Sequence, residues 1–131
     1  MQTLQPPGWP RPKGYSNGIE AEGRLVFIAG MVGWNAAERF ETDALAGQAR
    51  QALKNILAVL AEAGGKATHI CRMTWYVTDR QAYLANLAEI GAAYRAVIGH
   101  HYPAMTLVEV AALVEDGAKV EIEATAVVPK A

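Results

Sequence analysis

The sequence predicts an α+β fold in which two helices lie on one face of a mixed sheet. Three observations carry this. Two long stretches place apolar residues at helical spacing. Several runs rich in β-branched and aromatic residues are bounded by Gly, Pro and Asp. The last of these runs separates polar from apolar residues with a period of two. The order reads β-β-α-β-α-β-β, a layered sandwich of helices on a sheet. The 131 residues contain no internal break and form one domain, with residues 1–14 as an irregular N-terminal arm.

The arm is rich in Pro and Gly. Residues 19–22 and 24–31 then read as a hairpin with Gly23 near its turn, the second strand being the buried run "RLVFIAGM". Residues 33–41 are polar and irregular. A helix is expected over 44–63, capped by Thr42 or Asp43, with Leu45, Ala49, Ala52, Leu53, Ile56 and Leu60 on one stripe. Gly64-Gly65 ends it. A strand follows at 69–77, with imperfect alternation that suits cover on both faces. Asp79 can cap a second helix over 80–98, with Tyr83, Leu84, Leu87, Ile90, Gly91 and Tyr94 on one side. Strands at 105–113 and 119–128 close the chain around a turn at 115–117. In the last strand Lys119, Glu121, Glu123 and Thr125 share one face, and Val120, Ile122, Ala124 and Ala126 share the face that meets the helices.

Composition removes several function classes. Apolar residues make up 52% and charged residues 19%, which argues against disorder. The charged share lies under the roughly 25% of an ordinary soluble domain, so part of the surface is expected to be covered by another subunit. The longest wholly apolar run, residues 25–33, is too short to span a membrane, which takes about 20 residues. Twelve basic and thirteen acidic residues nearly cancel, which supplies no electrostatic reason for a nucleic-acid partner. One cysteine, Cys71, can form neither an internal disulfide nor a Cys-rich zinc site. The N-terminus carries no secretory pattern, and a cytoplasmic location is expected.

Common catalytic signatures are absent: the chain has no P-loop, no dinucleotide fingerprint and no nucleophile elbow. The run 30–33 is too short to cradle a phosphate. His100 and His101 read as solvated residues at a helix end, and His69 with Cys71 lacks the two further ligands a metal needs. No metal and no cofactor are expected. Trp9, Trp34 and Trp75 read as packing anchors, with Trp34 also able to wall a cleft from its polar loop. The sharpest feature is Glu121, inside an apolar strand, with Glu123 two positions on and Glu109 on the preceding strand. Three carboxylates on one sheet face read as a solvated face. Burial of that face by another subunit turns such groups into proton carriers near neutral pH.

The segments "GYSNGI", "VFIAGM", "QARQALKNILAVLAEAGG", "TWYVTD", "HYPAMTLVEVAAL" and "KVEIEATAVV" together resemble the YjgF/RidA family, also called the endoribonuclease L-PSP family. The resemblance runs in order over residues 13–128. It implies a chorismate-mutase-like fold, a homotrimer whose sheets form a central barrel, and three ligand clefts between subunits. The activity it implies is cofactor-free hydrolysis of enamine and imine intermediates such as 2-aminoacrylate. By that resemblance Glu121 positions the attacking water and Tyr15 matches the tyrosine of the family's "PY" pair, although Gly14 stands where that pair has Pro. Gly30 is kept, while the Ser and Gln beside it become Ala29 and Met31. The arginine that follows "PA" and clamps the substrate carboxylate is replaced, after Ala104, by Met105, and the frequent Cys two positions on is Leu107. Loss of a buried clamp costs about 2–5 kcal/mol of binding. The expected cleft is therefore more apolar, lined by Met31, Trp34, Met105 and Leu107, and suits a ligand larger and less anionic than 2-aminoacrylate unless Arg24, Arg72 or Arg95 restores the charge. Two readings stand: a hydrolytic deaminase using Glu121 and Tyr15, or a non-catalytic trimer that binds a small metabolite.

Overall fold

The computed structural model describes residues 1–131. Its elements in chain order are β1 (Gln2–Leu4), β2 (Gly18–Glu20), β3 (Arg24–Val32), α1 (Leu45–Ala61), a 3-10 turn (Ala67–His69), β4 (Ile70–Val77), α2 (Arg80–Ala85), α3 (Leu87–Val97), β5 (Ala104–Glu109) and β6 (Val120–Val128). The main sheet has the order β3-β6-β4-β5. β6 runs antiparallel to both its neighbours, while β4 and β5 are parallel, because α2 and α3 carry the chain back before β5 begins. The mixed α+β sheet expected from the sequence is therefore present. No helix is long and apolar enough to cross a membrane.

The core lies between this sheet and the helices. The stripe expected on α1 is the one buried: Leu45, Ala49, Ala52, Leu53, Ile56 and Leu60 pack in one cluster with Met73, Trp75 and Val77 of β4 and Val120, Ile122 and Ala124 of β6. One polar residue joins that stripe. Gln48 is fully buried, and its amide is satisfied on every side. Nε2 donates to Thr42 O (3.0 Å) and Gly117 O (2.9 Å), and Oε1 accepts from Lys119 N–H (2.8 Å). This ties the start of α1 to the entry of β6, and a buried amide so paired carries no desolvation penalty of an orphan.

Several local expectations are corrected. β2 does not pair with β3. It pairs antiparallel with β1, so the arm begins with a strand and only its later part is irregular. The N-cap of α1 is Ala44, with no side-chain cap; Thr42 Oγ1 instead accepts from Ala44 N–H (3.0 Å) and closes the turn before the helix. The helix ends as read, with Gly64 in the left-handed region (φ 74°). The single second helix is two. Asp79 caps α2 by accepting from Ala82 N–H (3.1 Å), but Asn86 breaks the run at φ −123°, ψ 25°, with its amide turned back onto Ala82 O (2.7 Å). β5 stops at Glu109. Glu109 also lies on the other face from Glu121 and Glu123. It pairs in register with the buried Val77, and its carboxylate accepts Arg80 N–H (2.7 Å) at the start of α2.

Candidate functional site

The outward face of the sheet follows from strand parity. Glu121 and Glu123 stand opposite Tyr76 and Thr74 of β4. The Tyr76 hydroxyl donates to Glu123 Oε1 (2.6 Å), and this bond to the carboxylate pushes the phenol above its ordinary value. Glu121 has a different neighbour. The β3–β6 register shifts between Ile28 and Met31, a bulge that leaves both Ala29 and Gly30 exposed. Gly30 lies directly against the Glu121 carboxylate, and a Cβ there would run into it. The missing side chain is what gives that half-buried carboxylate room against the strand. Past the end of β3, Asn55 Nδ2 donates to Val32 O (3.1 Å) and Trp34 O (2.8 Å), which fixes the Trp34 loop. The Trp34 ring packs on Phe40 at 5.8 Å and 47°.

The helix side holds the other group. Met105 pairs with Met73 and Leu107 with Trp75, so both point with those core residues toward the helices. The bulge turns Met31 the same way, in register with Ile122. Between β5 and α3 a cavity of about 280 Å3 opens, with Met105, Trp75, Ile90, Tyr94, Arg95 and Tyr102 in its wall. Tyr94 and Tyr102 stack at 5.7 Å and 13°. The Tyr94 hydroxyl donates to His101 O (2.6 Å), and burial pushes the phenols of Tyr94 and Tyr83 up.

The arm reaches this region. Ser16 bridges to Ala104 in parallel, its N–H donates to Pro103 O (3.0 Å) and its hydroxyl donates to Tyr102 O. That anchor holds Tyr15, 42% exposed, in a second cavity of about 760 Å3 with Trp9, Arg11, His100 and His101. Gly14 and Tyr102 wall both cavities.

The sequence-derived residues thus fall into two groups. Tyr15, Ala104, Met105 and Leu107 gather around β5, while Glu121, Gly30 and Trp34 sit at the β3–β6 side. Met105 and Glu121 are on opposite faces and two strands apart, about 10 Å across the sheet. Of the three arginines considered, Arg24 donates to Ala63 O (2.9 Å), Arg72 to Thr106 Oγ1 (3.5 Å), and Arg95 alone lines the Met105 cavity. His69 accepts Lys66 N–H through Nδ1 (3.0 Å), and burial raises the Cys71 thiol, a packing residue. Tyr76, Lys13 and Tyr102 were not singled out from the sequence. Tyr76 carried a signal, two positions from Thr74 on the face that the Glu121–Glu123 parity defines, whereas Lys13 and Tyr102 enter only through the fold of the arm.

A family model described as endoribonuclease L-PSP matches residues 10–128. The 2-iminobutanoate/2-iminopropanoate deaminase of Escherichia coli K12 is 35% identical over 116 residues, covering 86% of each chain. Protein DfrA of Myxococcus xanthus is 34% identical over 116 residues, covering 86% of this chain and 84% of its own. Among solved structures, YyfB of Yersinia pestis, of the conserved Rid protein family, superposes with a TM-score of 0.85 at 33% identity, covering 97% of this chain and 98% of that one. The YjgF gene product of E. coli superposes with a TM-score of 0.68 at 33% identity over the same shares.

Proposed function

The chain belongs to the endoribonuclease L-PSP (YjgF/RidA) family, and from that premise we propose that it is a cofactor-free hydrolytic deaminase of enamine or imine intermediates, working in the cytoplasm as a homotrimer with clefts between subunits. The observation that carries the reading is the half-buried Glu121 carboxylate, seated against Gly30 on the outward sheet face. There it can hold a water against an imine carbon, take the proton that water loses, and return it to the departing nitrogen. The imine and one water become a carbonyl and ammonia, with no redox step. Tyr15 orients the ligand from the arm.

Assembly has its own support. Glu121 and the β5 group lie on opposite faces within one chain, so one ligand can meet both only where two copies adjoin. The outward face also carries the exposed Leu25 and Phe27, the sort of apolar surface that a neighbouring subunit covers.

The test is ammonia release from imines generated in place by an amino-acid oxidase. Glu121→Gln should slow it about 100-fold or more. A Glu121→Gln protein as fast as the parent overturns the hydrolytic role. Ligand-dependent thermal shifts without any turnover favour the second reading, a small-metabolite-binding trimer, to which the apolar Met105 lends its weight. Sedimentation should give about three times the 14.0 kDa chain mass, and a value near one chain overturns the trimer.

A further inference from the structure

We infer that Arg95 is the anion-binding group of the cavity between β5 and α3, and that this cavity selects a carboxylate bearing an aromatic or branched aliphatic group. The inference rests on the deaminase reading above for its link to catalysis, and names the class of 2-imino acid that the site takes. The cavity wall contains two cations, Arg95 and Lys13, and no carboxylate. The rest of the wall is aromatic or aliphatic, including Trp75, Leu87, Ile90, Tyr94, Tyr102 and Met105. A small anion alone would leave that apolar surface unused, and the two cations, both exposed, can meet an anion at the cavity. The volume of about 280 Å3 is at the small end for ligand cavities and matches a compound of amino-acid size.

The guanidinium is positioned for the task. It lies along α3 over Gly91, where a Cβ would come within 3.1 Å of Arg95 Nη1. Glycine inside a helix costs about 1 kcal/mol relative to alanine, and here its missing side chain gives the guanidinium room. A planar guanidinium can grip both oxygens of a carboxylate. Trp75, one of the wall residues, also carries the one buried side-chain polar atom without a hydrogen-bond partner, Nε1. Met105 therefore removes a charge that α3 supplies from a different direction, and the expectation of a less anionic ligand is replaced by one of an anionic ligand with a larger apolar part.

Binding of phenylpyruvate and of its methyl ester, followed by calorimetry, tests this without turnover. The parent should bind phenylpyruvate well and the ester weakly. Arg95→Gln should weaken phenylpyruvate about 30-fold or more and leave the ester unchanged, while Arg95→Lys recovers part of the loss. Thermal unfolding of each variant verifies that the exposed position leaves the fold intact. Equal phenylpyruvate binding by parent and Arg95→Gln, or a parent that binds the ester as tightly as the acid, overturns the inference. The deaminase reading fails separately: Arg95-dependent binding with imine hydrolysis indifferent to Glu121 sinks that reading and keeps this one. Glu121-dependent hydrolysis of the phenylalanine-derived imine with kcat/KM unchanged in Arg95→Gln does the reverse.

Discussion

On the helix side of the sheet, Leu53, Ile56 and Leu60 are wholly buried against β4 and β6. On the other side of the sheet, Phe27 is 75% and Leu25 62% exposed, on the face that also carries a tyrosine–glutamate pair and the half-buried Glu121. The alternation of single strands creates both faces, so their difference is not one of local sequence quality. The chain covers one face with its own helices and leaves the other exposed. Stability resides in the first face, and the carboxylate proposed to act on water stands on the second, so a polar group can be held there without destabilising the core.

The largest effect should come from the covered face. Leu53→Ala should cost about 3–5 kcal/mol, read as a lower denaturant midpoint at unchanged slope, because a fully buried leucine leaves a cavity that helix and sheet cannot close. A loss under about 1 kcal/mol would mean that the two faces share the stabilising role. On the outward face Phe27→Asp should change the stability of the isolated chain by less than about 1 kcal/mol while driving the sedimenting mass toward one chain. Unfolding of that variant as a monomer would break the comparison. The smallest effect is in the tyrosines. Of five, Tyr83 and Tyr94 on the helix side and Tyr76 on the outward face should ionise above the ordinary value of 10, followed by absorbance at about 295 nm. In each the fold favours the neutral phenol, so the stability it contributes is complete below pH 10 and declines as pH rises through the raised value. The causes differ by face, so Glu123→Gln should bring Tyr76 down and leave Tyr94, raised by burial, where it is.

What was legible in the sequence was whatever repeats along one element. The apolar members of the α1 stripe and the β6 alternation follow from the sequence, because burial there follows from a fixed period, while the buried Gln48 on that stripe does not. The choice of partner for β2 was not, because Gly23 between two short apolar runs looks like a hairpin turn and only the arm's return past Ser16 decides otherwise. The break at Asn86 turns on one amide competing with the backbone. Of the proposed site, Glu121 is marked by the β6 pattern, whereas Gly30 and Tyr15 are marked only by the resemblance. The sides taken by Met31, Met105 and Glu109 depend on a bulge and on a parallel register, neither of which leaves a local mark.

The position of β6 has a consequence for how the protein is made. This strand is the last of the sheet to be synthesised, yet it lies in the interior of the sheet and separates β3 from β4. Arg24 waits for Val128, roughly a hundred residues later, before it has a partner. While the chain emerges from a ribosome, β3 has no neighbour in the sheet and the apolar stripe of α1 has only part of its floor. Closure of the core over β3 and α1 therefore waits for β6, whereas β4 and β5 pair with each other directly and need no later strand.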